Sequence, residues 1–168
     1  MNILCLFLLT TLLACSNAFA PSIGGLKVVT QLEMAGGEDA AAPLVSGADL
    51  EMMLTEWDQP LVVDAYATWC GPCVLMAPEF EAAAQELKGK VRFVKIDTDK
   101  DEAMAARLNI MGLPTLLFLD KFTGGEGKDE ESEAKAVLKG RLEGAIRKEQ
   151  IMEFCEHYFF DGPEPKPL

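Results

Sequence analysis

Positive charge is scarce in this sequence. The chain of 168 residues carries 15 lysines and arginines against 27 aspartates and glutamates, which gives a formal net charge of -12. No run of basic residues occurs anywhere in it. Proteins that bind nucleic acid directly usually cluster Lys and Arg against the phosphate backbone. We therefore expect no direct nucleic-acid partner, and the acidity predicts a solvated, self-repelling surface.

Long apolar runs are also scarce. The one such run, "ILCLFLLTTLLAC" at 3–15, is shorter than the roughly 20 residues that a membrane-spanning helix needs. Small residues follow it, as is typical of a cleaved secretory signal peptide. The small residues permit cleavage after Ala18 or Ala20, and we favour Ala18 because the other cut would be followed directly by Pro21. The sequence thus predicts a signal peptide at 1–18 and no membrane contact after its removal.

The residues after the predicted cleavage site indicate a destination. The mature chain would begin at Phe19 in "FAPSIGGLKVV". This junction resembles the "ASAFAP" junction of proteins sent to plastids that are bounded by extra membranes in some algae. We therefore predict that 19–43 is a transit-peptide-like or flexible segment and that the protein is located in a complex plastid. The alternative is plain secretion, or retention in the endomembrane lumen.

Cysteine and histidine are few once the leader is set aside. Cys70, Cys73 and Cys155 remain, and an odd number excludes a complete disulfide framework. With His157, the only histidine, they could form a Cys₃His zinc set. However, Cys155 and His157 are two residues apart and would point to different faces of a helix. We expect no metal site, a buried and inert Cys155, and no assigned role for His157.

Apolar patterning along the rest of the chain alternates between helix and strand. Ser46 is the predicted N-cap of the first helix, and Pro78 is expected to kink the second. Helices are predicted at 47–57, from 71 to about 88, at 101–108 and at 147–160, and strands at 60–67, 91–97, 114–120 and 136–144, the last at a sheet edge. Such alternation predicts an α/β domain at 44–160 with helices on both faces of the sheet. The sequence also predicts an acidic, Gly-rich loop at 121–135 and a disordered tail at 161–168.

The two closely spaced cysteines follow the first predicted strand and open the second helix. Unpaired N–H groups and the positive end of the helix dipole should stabilise a thiolate at Cys70. Cys73, one turn inside, should be more deeply buried and stay protonated longer. Pro72 fits the first turn, where its missing donor costs little. The spacing therefore predicts an attacking sulfur at Cys70 and a resolving sulfur at Cys73.

The motif "WCGPC" after "VVDAYAT" resembles thioredoxin, and the resemblance extends over about 45–160. It includes positions that are far apart in the chain, namely Asp64, Pro78, Lys95, Pro114 and Gly144. It implies a thioredoxin fold with a central mixed β-sheet of four to five strands. It further implies that Cys70 and Cys73 form a redox-active disulfide.

The resemblance also assigns roles to residues around the cysteines. Asp64 would be a buried acid of raised pKa that accepts a proton from Cys73, or else an Asp bonded to backbone amides. Lys95 would tune that acid, or be an ordinary surface lysine. Pro114 would follow a cis bond that faces the disulfide, or simply open a strand. A flat apolar rim would bind target proteins, with Trp69 either part of it or packed in the core; its members are Trp69, Gly71, Pro72, Leu113, Gly144, Ala145 and Ile146.

These features predict a thioredoxin-type protein-disulfide reductase. Because Gly71 and Pro72 bring no cation to the thiolate, the site should donate electrons. The resemblance implies no cofactor, a monomer, disulfide-containing target proteins, and a thioredoxin reductase, ferredoxin-linked or NADPH-linked, as electron donor. The stretch "YATWCGPCVLMAPEFE" is also similar to the plastid thioredoxin z group, called CITRX. That similarity leaves open a structural or regulatory subunit of the plastid transcription machinery, and the leader leaves open a secretory disulfide isomerase-like protein.

Overall fold

The computed structural model describes residues 40–121 and 136–165. Eight elements follow one another there, namely α1 (Gly47–Thr55), β1 (Leu61–Tyr66), α2 (Gly71–Glu86), β2 (Arg92–Asp97), α3 (Glu102–Arg107), β3 (Thr115–Lys121), β4 (Ala136–Glu143) and α4 (Lys148–Phe159). Their types and order are as predicted, and their ends differ by one or two residues, as helix and strand ends commonly do. The predicted signal peptide, most of the predicted transit segment, residues 122–135 of the loop predicted at 121–135, and the last three residues lie outside the described part. Lys121, the first residue of that predicted loop, is instead the last residue of β3.

The described strands form one mixed sheet in the order β2-β1-β3-β4. β1 and β2 run parallel, because α2 carries the chain back between them, while β1 with β3 and β3 with β4 are antiparallel. Ahead of α1, the N–H of Val45 donates to the carbonyl of Lys95 at 2.9 Å, so this segment lines the β2 edge. The predicted fold class, including β4 as an edge strand, is confirmed.

The two faces of the sheet bury separate apolar layers. The layer beneath α2 and α4 contains the buried side chains Val62, Met76, Phe80, Phe93, Leu116, Phe118, Ile151 and Phe154. The layer beneath α1 and α3 contains Leu50, Leu61, Val63, Val94, Ile96, Met104, Leu117 and Leu119. Because successive strand residues point to opposite faces, the apolar residues of β1 serve both layers, and Asp64 is the only charged residue of this strand. This explains why β1 shows no polar alternation.

Local capping accounts for where α1 begins and where α4 ends. The Ser46 hydroxyl accepts from the Asp49 N–H at 3.2 Å, and the Asp49 carboxylate accepts from the Ser46 N–H. These two bonds form a capping box. After α4, Asp161 adopts a left-handed φ of 53° and the Gly162 N–H donates to the Glu156 carbonyl at 2.9 Å. The segment predicted as a tail at 161–168 therefore begins with an ordered helix cap.

β4 contains an irregularity that the sequence did not predict. Phe118 lies opposite Gly140 while Leu119 lies opposite Leu138, so β4 carries one extra residue at this point. A Cβ on Gly140 would lie 2.2 Å from the ring carbon Cζ of Tyr158. A side chain at this position would therefore force the Tyr158 ring of α4 to move, because the ring packs directly on the strand backbone. No described helix is both long and apolar enough to cross a membrane.

Candidate functional site

The helix that carries both cysteines begins directly at the first of them. Cys70 is the N-cap of α2, and its N–H donates to the Ala67 carbonyl at 3.1 Å, which closes the turn after β1. The Cys73 N–H donates to Cys70 Sγ at 3.2 Å. Pro72 lies in the first helical turn, as predicted. A backbone donor and the positive helix end thus both face the Cys70 sulfur, and both favour negative charge on it.

Cys70 and Cys73 are joined as a disulfide with Cα atoms 5.3 Å apart. The two residues are 4% and 1% exposed, so the difference in burial between them is small in this oxidised state. They pack with Tyr66 and Ala67 in a separate apolar cluster between the ends of β1 and α2. The pairing implied by the resemblance is present.

Asp64 is buried at the centre of β1. It is 2% exposed, and its Oδ1 has no hydrogen-bond partner in the described part of the chain. Burial raises the pKa of this carboxyl to about 7, although the attraction of Lys95 partly offsets that rise. The alternative of a carboxylate held by backbone amides therefore does not apply to Oδ1. A carboxyl with this pKa can both accept and release a proton near neutral pH.

A small cavity is lined by both Asp64 and Cys73 but not by Cys70. Its volume is about 10 Å³ and its walls are Asp64, Tyr66, Cys73, Ala77 and Lys95. A void of this size is about the smallest that holds one water molecule. The inner cysteine is thus the one that shares a polar cavity with the buried carboxyl.

Lys95 is held beside Asp64 by strand pairing. The two residues lie opposite each other in the β1–β2 register, so their side chains share the face that α2 covers. The Lys95 side chain is only 16% exposed and its Nζ lies 3.9 Å from the carboxylate of Glu81 on α2. Glu81 in turn accepts from the Ala41 N–H at 2.7 Å. The partial burial favours the interpretation of Lys95 as a neighbour of the acid over that of a solvated surface lysine.

The peptide bond between Leu113 and Pro114 is cis, as the resemblance implied. Leu113 packs against the cysteine cluster. The Gly144 N–H donates to the Pro114 carbonyl at 2.9 Å, which ties the start of β3 to the end of β4. Gly144 has a φ of 99°, a left-handed value that favours glycine at this turn. In the described part of the chain, neither the N–H nor the carbonyl of Leu113 has a hydrogen-bond partner.

An open groove of about 440 Å³ runs along the disulfide. Four predicted rim residues line it, namely Trp69, Gly71, Pro72 and Leu113. Trp69 is 72% exposed, so the alternative in which it packs in the core is wrong. Gly144 and Ala145 are exposed but do not line the groove, and Pro114 is buried. The prediction for Ile146 is wrong, because this residue is 7% exposed and packs in the layer beneath α2 and α4.

Two groove features were missed by sequence reasoning. The Trp69 indole Nε1 donates to the Asp99 carboxylate at 2.8 Å, which fixes the ring from the loop after β2. Met111 is 80% exposed and lines the groove just ahead of the cis bond. An acid in a charged loop carries no sequence signal for such a contact. Met111, an apolar residue two positions before Leu113, could have been noted from its place beside "GLPT".

The zinc interpretation finds no support in the described residues, where no group of three or more possible ligands comes together. Cys155 is fully buried in the layer beneath α2 and α4, and burial raises the pKa of its thiol to about 12. His157 is half-buried, and its Nδ1 lies 3.2 Å from the Gly162 carbonyl. Cys155 thus belongs to a different apolar cluster from the disulfide, as expected for an inert core residue.

Comparison with known proteins agrees with this geometry. The family model described as thioredoxin matches residues 43–155, which is more than half of the chain. The chain belongs to the thioredoxin family. A solved structure of chloroplastic thioredoxin z is 38% identical, with a TM-score of 0.55, and the match covers 70% of this chain and 93% of that one.

Curated relatives are similar in sequence to this chain over part of their length. The thioredoxin-like protein CITRX2, chloroplastic, of Nicotiana benthamiana is 45% identical over 83 residues, which cover 49% of this chain and 46% of that protein. Thioredoxin Y1, chloroplastic, of Arabidopsis thaliana is 38% identical over 106 residues, covering 63% of this chain and 54% of that protein. The chain spans about half the length of the curated relatives it matches.

Proposed function

We propose that this protein is a thiol-disulfide oxidoreductase that reduces disulfides in target proteins by exchange at Cys70 and Cys73. The observation that carries this proposal is the asymmetric pair itself. One sulfur lies at the N-terminus of α2 with a backbone donor aimed at it, and the other shares a polar cavity with an unpartnered buried acid. This asymmetry suits an attacking and a resolving thiol.

The first step uses Cys70. Its thiolate attacks one sulfur of the target disulfide, so that a mixed disulfide forms and the other target sulfur leaves as a thiolate. The Cys73 N–H and the end of the α2 dipole stabilise the attacking anion. Because Gly71 and Pro72 add no cation, the thiolate is not stabilised so far that it ceases to be a good nucleophile.

The second step uses Cys73 and Asp64. Asp64 takes the Cys73 proton, directly or through one water in the shared cavity, and the Cys73 thiolate attacks Cys70 Sγ. The second target thiolate leaves and the Cys70–Cys73 disulfide forms, so two electrons pass to the target. A thioredoxin reductase, ferredoxin-linked or NADPH-linked, then returns two electrons to the pair. Lys95 sets how readily Asp64 accepts the proton, because its charge opposes the effect of burial.

Target proteins bind beside the cis bond. The unpartnered Leu113 N–H and carbonyl can pair with an extended target segment as an added strand. The exposed ring of Trp69 and the side chain of Met111 border that position with apolar surface, while Gly71 and Pro72 leave it flat. The protein acts as a monomer in this scheme and needs no cofactor.

The mechanism is tested by trapping. A Cys73→Ser variant should accumulate a mixed disulfide on Cys70 when mixed with an oxidised target such as insulin, detected by non-reducing electrophoresis and mass spectrometry. The matched Cys70→Ser variant should form none. Trapping only by Cys70→Ser would reverse the assignment of the two sulfurs. Equal trapping by both variants would contradict the proposed difference between them.

We place the protein in a plastid. The chloroplastic relatives support this location, and the predicted signal peptide at 1–18 with a transit-like segment at 19–43 supplies a route through extra membranes. The remaining divisions are the redox domain at 44–160, which includes the acidic stretch at 121–135, and the C-terminal residues 161–168, which begin with the helix cap after α4. A fluorescent protein fused after residue 45 should enter the plastid, whereas fluorescence in the secretory lumen would favour the isomerase-like alternative.

A second candidate function is a structural or regulatory subunit of the plastid transcription machinery. The similarity to CITRX proteins and to thioredoxin z favours it. Replacement of both Cys70 and Cys73 by Ser distinguishes the two functions in vivo. Loss of function supports exchange chemistry, while full rescue by the double variant supports a scaffold.

A further inference from the structure

The turn between α3 and β3 carries much of the groove wall. It includes Met111 and leads to the cis bond after Leu113. α3 itself is only six residues long and so provides little rigidity of its own. Any precise placement of this wall must come from contacts outside the helix.

Hydrogen bonds within the turn satisfy only part of the helix end. Asn109 adopts a left-handed φ of 53° and its N–H donates to the Ala106 carbonyl at 3.0 Å. The Ile110 N–H donates to the Ala105 carbonyl at 3.0 Å. These two bonds form a Schellman motif, with asparagine in place of the usual glycine. The carbonyls of Leu108 and Asn109 lie beyond the reach of this motif, at the negative end of the helix.

Arg141 on β4 reaches these two carbonyls. Its Nη1 donates to the Asn109 carbonyl at 2.7 Å and its Nη2 donates to the Leu108 carbonyl at 2.5 Å. Arg141 lies opposite Leu117 in the β3–β4 register, on the sheet face that α3 covers. One planar guanidinium therefore clamps two consecutive carbonyls from a strand that belongs to the sheet.

We propose that Arg141 is a positioning residue that holds the α3–β3 turn, and with it Met111 and Leu113, in the geometry that binds target proteins. It contacts neither cysteine and takes no part in the exchange of sulfur bonds. This inference rests on the proposed function for its consequence in catalysis, but not for the clamp itself. A wall that shifts by an ångström would weaken docking of a protein disulfide, while a small disulfide that meets only the sulfurs would react as before.

The test compares Arg141→Met, which keeps the length of the side chain and removes both donors, with Arg141→Lys, which keeps one charge without the fork. The first readout is hydrogen exchange of the Asn109 and Ile110 amides, whose bonds depend on the turn. The second is the kinetics of insulin reduction with dithiothreitol as the electron source, set beside the reduction of the small disulfide 5,5′-dithiobis(2-nitrobenzoic acid).

We expect both amides to exchange faster in Arg141→Met, and KM for insulin to rise on the order of 10-fold. The value of kcat and the rate with the small disulfide should stay unchanged, and Arg141→Lys should fall between the two proteins. Arg92→Met is the matched control, because Arg92 is an arginine on the opposite edge strand that pairs with Asp58 at 2.6 Å. This control should match the unchanged protein in every readout.

Unchanged amide exchange in Arg141→Met would overturn the proposal. So would an equal loss of activity toward insulin and the small disulfide, because that pattern indicates general damage. If Arg141→Met does not fold, the proposal is tested with Arg141→Lys instead. Loss of one of the two hydrogen bonds to the turn should still speed hydrogen exchange of the Asn109 and Ile110 amides. Failure of the unaltered protein to reduce either disulfide would overturn the proposed function, and the exchange rates would still decide whether Arg141 clamps the turn.

Discussion

Replacement of Asp64 by Asn should stabilise the oxidised protein at alkaline pH. The carboxyl is 2% exposed and its Oδ1 has no partner, so ionisation in the folded state costs free energy. Its pKa rises from an ordinary 3.8 to about 7, chiefly through burial. The folded state thus binds a proton more tightly than the unfolded state between these two values, and stability must fall as pH rises through that window.

The size of the effect follows from the same two values. Each pKa unit corresponds to about 1.4 kcal/mol, so the rise from 3.8 to about 7 corresponds to about 4 kcal/mol. The penalty is absent below about pH 4 and complete above about pH 7. Asp64→Asn has no charge to bury, so it should gain up to about 4 kcal/mol over the unchanged protein at pH 9 and almost nothing at pH 4.

Urea unfolding followed by far-UV circular dichroism measures this difference from pH 4 to pH 9. The disulfide stays intact throughout, so neither active-site thiol titrates during the experiment. Glu56→Gln serves as a control, because it removes a carboxyl that is exposed in the folded protein. If Asp64→Asn shows no gain at pH 9, or a gain that does not shrink toward pH 4, then burial of the carboxylate is not what penalises the folded state.

Three further substitutions test other parts of the structure. Lys95→Met removes the charge that lowers the pKa of Asp64, so the pH at which stability is lost should move upward when measured by the same urea titration. Gly140→Ala should lower the free energy of unfolding by about 1–3 kcal/mol, because the new Cβ would lie 2.2 Å from the Tyr158 ring. Cys155→Ser should cost about 1–3 kcal/mol, because a hydroxyl would replace a thiol in a fully buried apolar site.

Each of these has an outcome that contradicts it. A downward or absent shift for Lys95→Met would mean that its charge does not act on the acid. Gly71→Ala is the control for Gly140→Ala, since a Cβ on Gly71 meets nothing within 4 Å, and equal destabilisation of the two would rule out the ring contact. Cys155→Ala, which adds no polar group, should be less damaging than Cys155→Ser, and the reverse order would show that the site is not apolar.

Chain-local features were predictable because their causes lie within a few residues. The N-cap at Ser46 and the start of α2 at Cys70 follow from side chains and turns that act on their own neighbours. The buried strand β1 follows from a run that is apolar except at Asp64, since a strand covered on both faces favours apolar residues at nearly every position. The rim role expected for Ile146 was wrong, because its burial in the layer beneath α2 and α4 depends on tertiary packing.

The sequence by itself determined the order of elements and the positions of the two sulfurs, one at the N-cap of α2 and one in its first turn. Only the tertiary structure decided what surrounds them, namely the unpartnered Asp64 oxygen, the Trp69 contact with Asp99 and the Arg141 clamp on the α3–β3 turn. The physical reason is that caps, turns and periodicity arise from short-range contacts. The satisfaction of a buried polar atom depends instead on which distant residues the sheet brings within 3 Å of it.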